Sequence, residues 1–386
     1  MAELAGRNRE QVANLFGATD VVVIATLPEH IFYCSGYKSM GFDTDRLMRM
    51  AVVFDSRESI LVGPKADLWG AAEAIGSELR YFSYGSFFFD DAEQKSMASV
   101  TDFASFGEAL SAAVSRLAGG KRRVGFDHLD EDVAKILYEH GLAPVAATDG
   151  SRFFRDARAT KHDLEITLLR QASALTESAL LQALDDAKAG MSEYEFAARI
   201  SSGIVAGGGV PGFIVVTAGE RSALADAYPS ARRLRPRDIV RIDVGCTFSG
   251  YWSDTARTAF VGEPTADALA VFTSTSVGQE LGRSLVKPGM STDLLFQETV
   301  SAVRQAGLPD YRRHHVGHGL GIEAHEYPTI SASTRVPLAA GMVVCIEAPF
   351  YRPGWGGVMT EDTLLVTDTG AESLTNLART PFIIKA

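Results

Sequence analysis

The stretch "RIDVGCTFSGYWSDTART", residues 241–258, decides the fold. Apolar Ile242 and Val244 alternate along its first arm, and the whole reads as a β-hairpin. Asp243 and Asp254 stand where a bland strand would carry Thr or Val. Aspartate is depleted in strands, so two in one hairpin need a reason. A turn centred on Phe248–Ser249 predicts Asp243 directly opposite Asp254, their Cβ atoms about 4.5–5.5 Å apart. Two carboxylates that close repel unless one is protonated or a cation lies between them.

A second stretch, "VVCIEAPFYRPGWGGVMTEDTLLVT" at 343–367, repeats the pattern. Centring its Pro/Gly-rich turn on Gly354 predicts Glu347 opposite Glu361. Both pairings depend on register, because a one-residue slip turns a side chain to the other face. Four of the eight histidines fall in "HHVGHGLGIEAHEYP", at His314, His315, His318 and His325. Glycines 317, 319 and 321 let that backbone pass close to a crowded centre. Four carboxylates and an imidazole make a hard, oxygen-rich shell. Such a shell suits two divalent metal ions (Mn, Co, Fe or Zn) rather than a closed cysteine-type zinc site.

Working outward, 386 residues exceed one ordinary core, so two domains are expected. A hydrophobic content of 46% with 22% charged residues describes a soluble globular chain. The net charge of −11 predicts no nucleic-acid partner. No apolar run approaches the roughly 18 residues of a membrane span, and "MAELAGRNREQV" lacks a signal core. Three dispersed cysteines, Cys34, Cys246 and Cys345, form no disulfide framework and suggest a cytoplasmic setting. Cys345, near Glu347, reads as a buried structural thiol.

Residues 1–157 alternate strand-like runs ("DVVVIAT", "MAVVFD", "RRVGFD") with helix-like ones ("GEALSAAVSRLAGG", "DEDVAKILYEHG"). This predicts an α/β domain, without a phosphate loop or dinucleotide fingerprint. A polar seam, "FRDARATKHD", leads into the domain 158–386. There Leu164, Leu168, Ala172 and Leu181 predict a helix running to Gly190, and Ser192 with Glu195 has capping-box spacing. Beyond the strand "FIVVTAG" the chain reads as hairpins and short helices.

Taken together, "DVGCTFSGYWSDTART", "GHGLGIEAHEYP" and "CIEAPFY…TEDTLLVT" resemble the pita-bread metallohydrolases. That group includes methionine aminopeptidase, Xaa-Pro aminopeptidase, prolidase and the metal-free creatinase. "EHIFYCSGY" and "ARATKHDLEITLLRQA" resemble the two-domain prolidase and creatinase branch. The resemblance implies an α/β N-terminal domain followed by an α+β pita-bread catalytic domain. It also implies metal ligands Asp243, Asp254, His318, Glu347 and Glu361, with Asp254 and Glu361 bridging. Glu347 would shuttle the proton, His325 would donate to the substrate carbonyl, and His314 would line the leaving-group side. A dipeptide or small amino-acid-like substrate and a homodimer follow from the same resemblance.

Two departures bear on the substrate. Where the family places a histidine, in a context like "SALPHGxPS", this chain has "SALADAYPS", with Asp226 at that position. Asp226 would favour a cationic group, act as an acid or base, or be an ordinary turn residue facing solvent. Where the proline-specific branch has an arginine, Met359 removes a fixed guanidinium fork. Tyr228, Trp252, Tyr351 and Trp355 are candidate pocket aromatics; Tyr251 and Trp252 alternate in direction. Alternative readings are a lyase on the same fold, resembling those that cleave dimethylsulfoniopropionate, and a non-catalytic binding domain.

Overall fold

Runs of valine and isoleucine become strands, and Val21–Ala25 and Ala51–Phe54 are buried along their whole length. The computed structural model describes residues 1–17, 21–45, 47–76, 80–89, 100–120, 123–144 and 150–386. Asp20 and Arg122, part of two predicted strands, lie outside them. The chain divides into two units, Met1–Arg158 and Ala159–Ala386.

In the first unit, seven described strands form one mixed sheet. Val21–Ala25 runs antiparallel to Ala51–Phe54 and parallel to Arg123–Phe126. The helix Phe106–Ala118 starts where Ser105 accepts a hydrogen bond from the Glu108 N–H, and stops at Gly119 in the left-handed region. Its Ala109, Leu110, Ala113 and Val114 face pack with Val22, Ile24, Val53 and Ile60 of the sheet. Each large apolar side chain so buried contributes about 1.5–3 kcal/mol.

The second unit is built on a ten-stranded sheet among the described residues. Asp163–Asp186 is a helix that ends before the predicted Gly190. Gly190 instead sits in a turn at φ 86°, donating to the Leu234 carbonyl. The predicted capping box is present, with both Ser192 and Glu195 bonds made at the start of Glu193–Ala206. Leu180, Phe196, Ile200 and Ile204 of these helices pack with Ile242 and Val244 of the strand Ile239–Phe248. Strand side chains alternate, so burying Ile242 and Val244 on the helices turns Asp243 to the opposite face.

Two features depart from expectation. The helices Ala266–Leu285 and Thr292–Gln305 are long, where short helices were expected. They approach closely because a Cβ on Gly278 would lie 2.2 Å from Val303 Cγ2, and one on Gly282 would lie 2.7 Å from Thr299 Oγ1. The second departure is register. Phe248 faces Tyr251 and Thr247 faces Trp252, so the turn is Ser249–Gly250, with φ of 48° and 83°. Two positive φ values match the right-handed twist of the arms, which a turn one residue earlier would not. Asp243 therefore faces Ala256, and Asp254 is its diagonal neighbour, not its direct partner. The offset is two residues, so both aspartates keep the same face. In the second hairpin Glu347 lies directly opposite Glu361, as expected.

Candidate metal centre

Strand alternation brings Asp243, Asp254, His318, Glu347 and Glu361 to one cavity of about 970 Å³. Asp254, His318, Glu347 and Glu361 are buried, and Asp243 is nearly so. His318 Nε2 lies 3.8 Å from Asp254 Oδ2 and 3.7 Å from Glu361 Oε1. His318 Nδ1 lies 3.0 Å from the Gly319 carbonyl, the position of a protonated nitrogen's acceptor, which leaves Nε2 a lone pair. Burial, with His325 alongside, holds the His318 imidazole down to about 4, so it is neutral near pH 7. The neighbouring glycine matters here: a Cβ on Gly317, at φ 152°, would lie 2.0 Å from the Cys345 carbonyl.

The carboxylates are in electrostatic conflict. Burial drives Asp254 and Glu361 well above the usual carboxylate range, and the charges of Asp243 and Glu347 add to it. Asp243 is pushed up to about 7 by burial against the pull of Arg241. Among the described residues, Asp254 Oδ1 and Glu361 Oε1 are buried with no hydrogen-bond partner. Buried polar atoms are normally satisfied, so these orphaned oxygens beside a neutral imidazole fit divalent cations. Hard oxygen donors with one nitrogen agree with that chemistry. Cys345 Sγ belongs to the same cluster, within 4.8 Å of the Asp254, His318 and Glu361 donor atoms. Burial and the charges of Asp254 and Glu361 raise its thiol well above the usual value, against the hydrogen bond with Thr363 Oγ1 at 3.4 Å.

Glu347 has a different environment. Burial raises it, but His315 Nδ1 at 3.0 Å and Arg313 Nη2 at 3.7 Å pull it below the usual range. His325 stacks obliquely on His318 with ring centroids 3.9 Å apart, and burial lowers its pKa. Its turn is anchored from below. The Glu326 carboxylate accepts from the Ile322 and Glu323 N–H groups and pairs with buried Lys161 at 2.9 Å. Gly321 makes room, since a Cβ there would fall 2.5 Å from that carboxylate.

The remaining predicted positions divide. His314, Asp226, Met359, Tyr228 and Tyr351 line the cavity. Buried Met359 neighbours the Tyr351 hydroxyl, which donates to its sulfur at 3.7 Å. Trp252 lies behind the wall, stacked on Phe213, which does line it. Trp355 packs instead against Phe350 and Arg352, away from the carboxylates. Tyr251 points the other way and donates to Glu165. Sequence reasoning left His315, Arg313 and Arg241 unassigned. The one available signal was Arg241, a charge in the middle of the apolar run "IVRIDVG".

The profile of metallopeptidase family M24 matches residues 167–368, more than half of the chain. An Xaa-Pro dipeptidase from Pyrococcus furiosus is 34% identical over 227 residues, covering 58% of this chain and 65% of that protein. The match thus spans just under two thirds of that relative's length. The solved Xaa-Pro dipeptidase from Bacillus anthracis superposes with a TM-score of 0.80 over 98% of this chain and 100% of that one, at 23% identity. An X-Pro aminopeptidase from Thermotoga maritima gives 0.81 over 98% and 99%, at 22% identity. These structures speak to the fold: an α/β unit followed by a pita-bread unit. Among the described residues, no helix is long and apolar enough to cross a membrane.

Proposed function

Because the chain belongs to metallopeptidase family M24, we propose that it is a metal-dependent dipeptidase of the Xaa-Pro type. Asp243, Asp254, His318, Glu347 and Glu361 would hold two divalent ions, drawn from Mn, Co, Fe or Zn. The observation that carries this reading is the pair of buried carboxylates Asp254 and Glu361, each with an oxygen (Oδ1 and Oε1) lacking a hydrogen-bond partner among the described residues and each with an oxygen within 3.8 Å of His318 Nε2. Metal bound there supplies an acidified water and a polarised carbonyl at neutral pH.

The chain's own groups divide the remaining work. Glu347 is held as a carboxylate by Arg313 and His315, so it can take a proton and return it to the leaving amine. His325, neutral and fixed by the Lys161–Glu326 anchor, donates a hydrogen bond to the scissile carbonyl oxygen. His314, on the cavity wall, borders the leaving group. Nothing in the site favours the lyase reading.

The test is turnover of Xaa-Pro dipeptides in oxygen-18 water by metal-reconstituted protein, beside Glu347→Gln. We expect label in the released carboxylate, and a loss of kcat of roughly 10²–10⁴ in Glu347→Gln. Metal content should fall far less. Unchanged turnover in the variant would remove Glu347 from the proton-shuttle role.

A further inference from the structure

We propose that Asp226 is the specificity-determining anion of this site, and that the substrate presents a cationic nitrogen to it. The inference rests on the dipeptidase reading above and deepens it by naming the substrate's charge.

Asp226 borders the same cavity as the five carboxylate and imidazole donors. Its side chain makes no hydrogen bond or ion pair among the described residues. Asp226 is exposed, on the solvent side of the cavity wall. Of the basic side chains lining the cavity, Arg313 and His315 are taken up by Glu347. The exposed wall at Asp226 therefore carries a carboxylate that no side chain among the described residues pairs, and a cationic group on the ligand can pair with it.

Asp226 sits in an exposed turn, but the backbone of its loop is held on both sides. Arg241 is fully buried, and its guanidinium donates to the carbonyls of Ser222 at 3.0 Å and of Leu224 and Ala225 at 2.6 Å. On the other side Arg221 donates to the Tyr228 carbonyl at 2.8 Å while pairing with buried Glu193. The chain is thus clamped immediately before and after Asp226. A charge held in place loses little entropy when it meets its partner, so it discriminates better than a mobile one.

Two nitrogens fit this chemistry: the α-ammonium of the first residue and a basic side chain on it. The experiment uses full-length, metal-reconstituted protein as wild type, Asp226→Asn and Asp226→Glu. Substrates are Ala-Pro beside N-acetyl-Ala-Pro, and Lys-Pro beside norleucyl-Pro, with metal content measured for each protein. In Asp226→Asn we expect kcat/KM for the cationic member of one pair to fall at least tenfold, mainly through KM. Its neutral counterpart should change less than about threefold, and Asp226→Glu should recover most of the loss. The pair that responds identifies the nitrogen. Equal loss on all substrates, a drop in metal content, or no change at all would each overturn the proposal. If wild type hydrolyses none of the four, the dipeptidase reading fails on its own. Calorimetric binding of the same compounds then decides the charge preference, and equal binding of cationic and neutral members by wild type overturns it.

Discussion

At the scale of single residues, the unit 159–386 has oxygens placed against their own folding interest. Asp254 Oδ1 and Glu361 Oε1 are buried without partners, and each unsatisfied group costs about 1–3 kcal/mol. Without metal, Glu361→Gln replaces a carboxyl whose charge is disfavoured by burial and by its acidic neighbours with a neutral amide. We expect the metal-free variant to melt about 3–6 °C above metal-free wild type, from ~1.5 kcal/mol at 2–4 °C per kcal/mol. Added divalent metal should raise the wild-type transition and leave the variant nearly where it was. Melting both proteins in chelator and in metal checks this, and a variant that melts lower in chelator would sink the idea. The ligand types were legible because Asp and Glu are conspicuous inside apolar strands. Arg241 and His315 were not legible, since what each touches comes from another part of the chain: Ser222 and Leu224 for one, Glu347 for the other.

At the scale of elements, the helix Asp163–Asp186 carries a titrating group into the interior. Glu165 accepts from the Tyr251 hydroxyl and the His162 N–H, the His162 imidazole lies 3.6 Å from it, and Lys161 and Glu326 complete its charged surroundings. Burial, aided by Glu326 and opposed by Lys161, lifts its carboxyl from 4.5 to about 7. A raised acid keeps a proton in the folded state that the unfolded chain has already released. Stability is therefore lost as pH rises from about 4.5 to 7, by up to about 3 kcal/mol. Glu165→Gln should flatten the dependence of Tm on pH across that window; parallel curves for the two proteins would refute the assignment. Element by element, local chemistry decided what could be read. The second hairpin register followed from a turn centred on Gly354, whereas the first failed because Ser249 adopts a positive φ usually left to Gly or Asn. The long helices at 266–305 escaped notice because "VFTSTSVGQ" has weak helix propensity. Close packing through Gly278 and Gly282 overrides that weakness.

At the scale of the whole molecule, the two-part organisation follows from length and from the change of pattern near residue 158. What length does not reveal is which strands become neighbours. The sheet of the second unit places the strand Thr255–Val261 beside Glu361–Val366, and that strand beside Val343–Glu347 and then Gly317–Gly319. Donors that meet in space are thus delivered by segments running from Asp243 to Glu361. This arrangement fixes the order of events during folding. No part of the chain short enough to close early holds more than two of the five proposed donors, so a cation bound by them would not act as a template for collapse. It would arrive after the distant pairings have formed and act as a lock on a finished sheet. Stopped-flow measurements with and without metal should accordingly give unchanged refolding rates and slower unfolding. The ion's hold is on the exit from the native state, which makes chelation a way to shorten this protein's lifetime without altering how it is made.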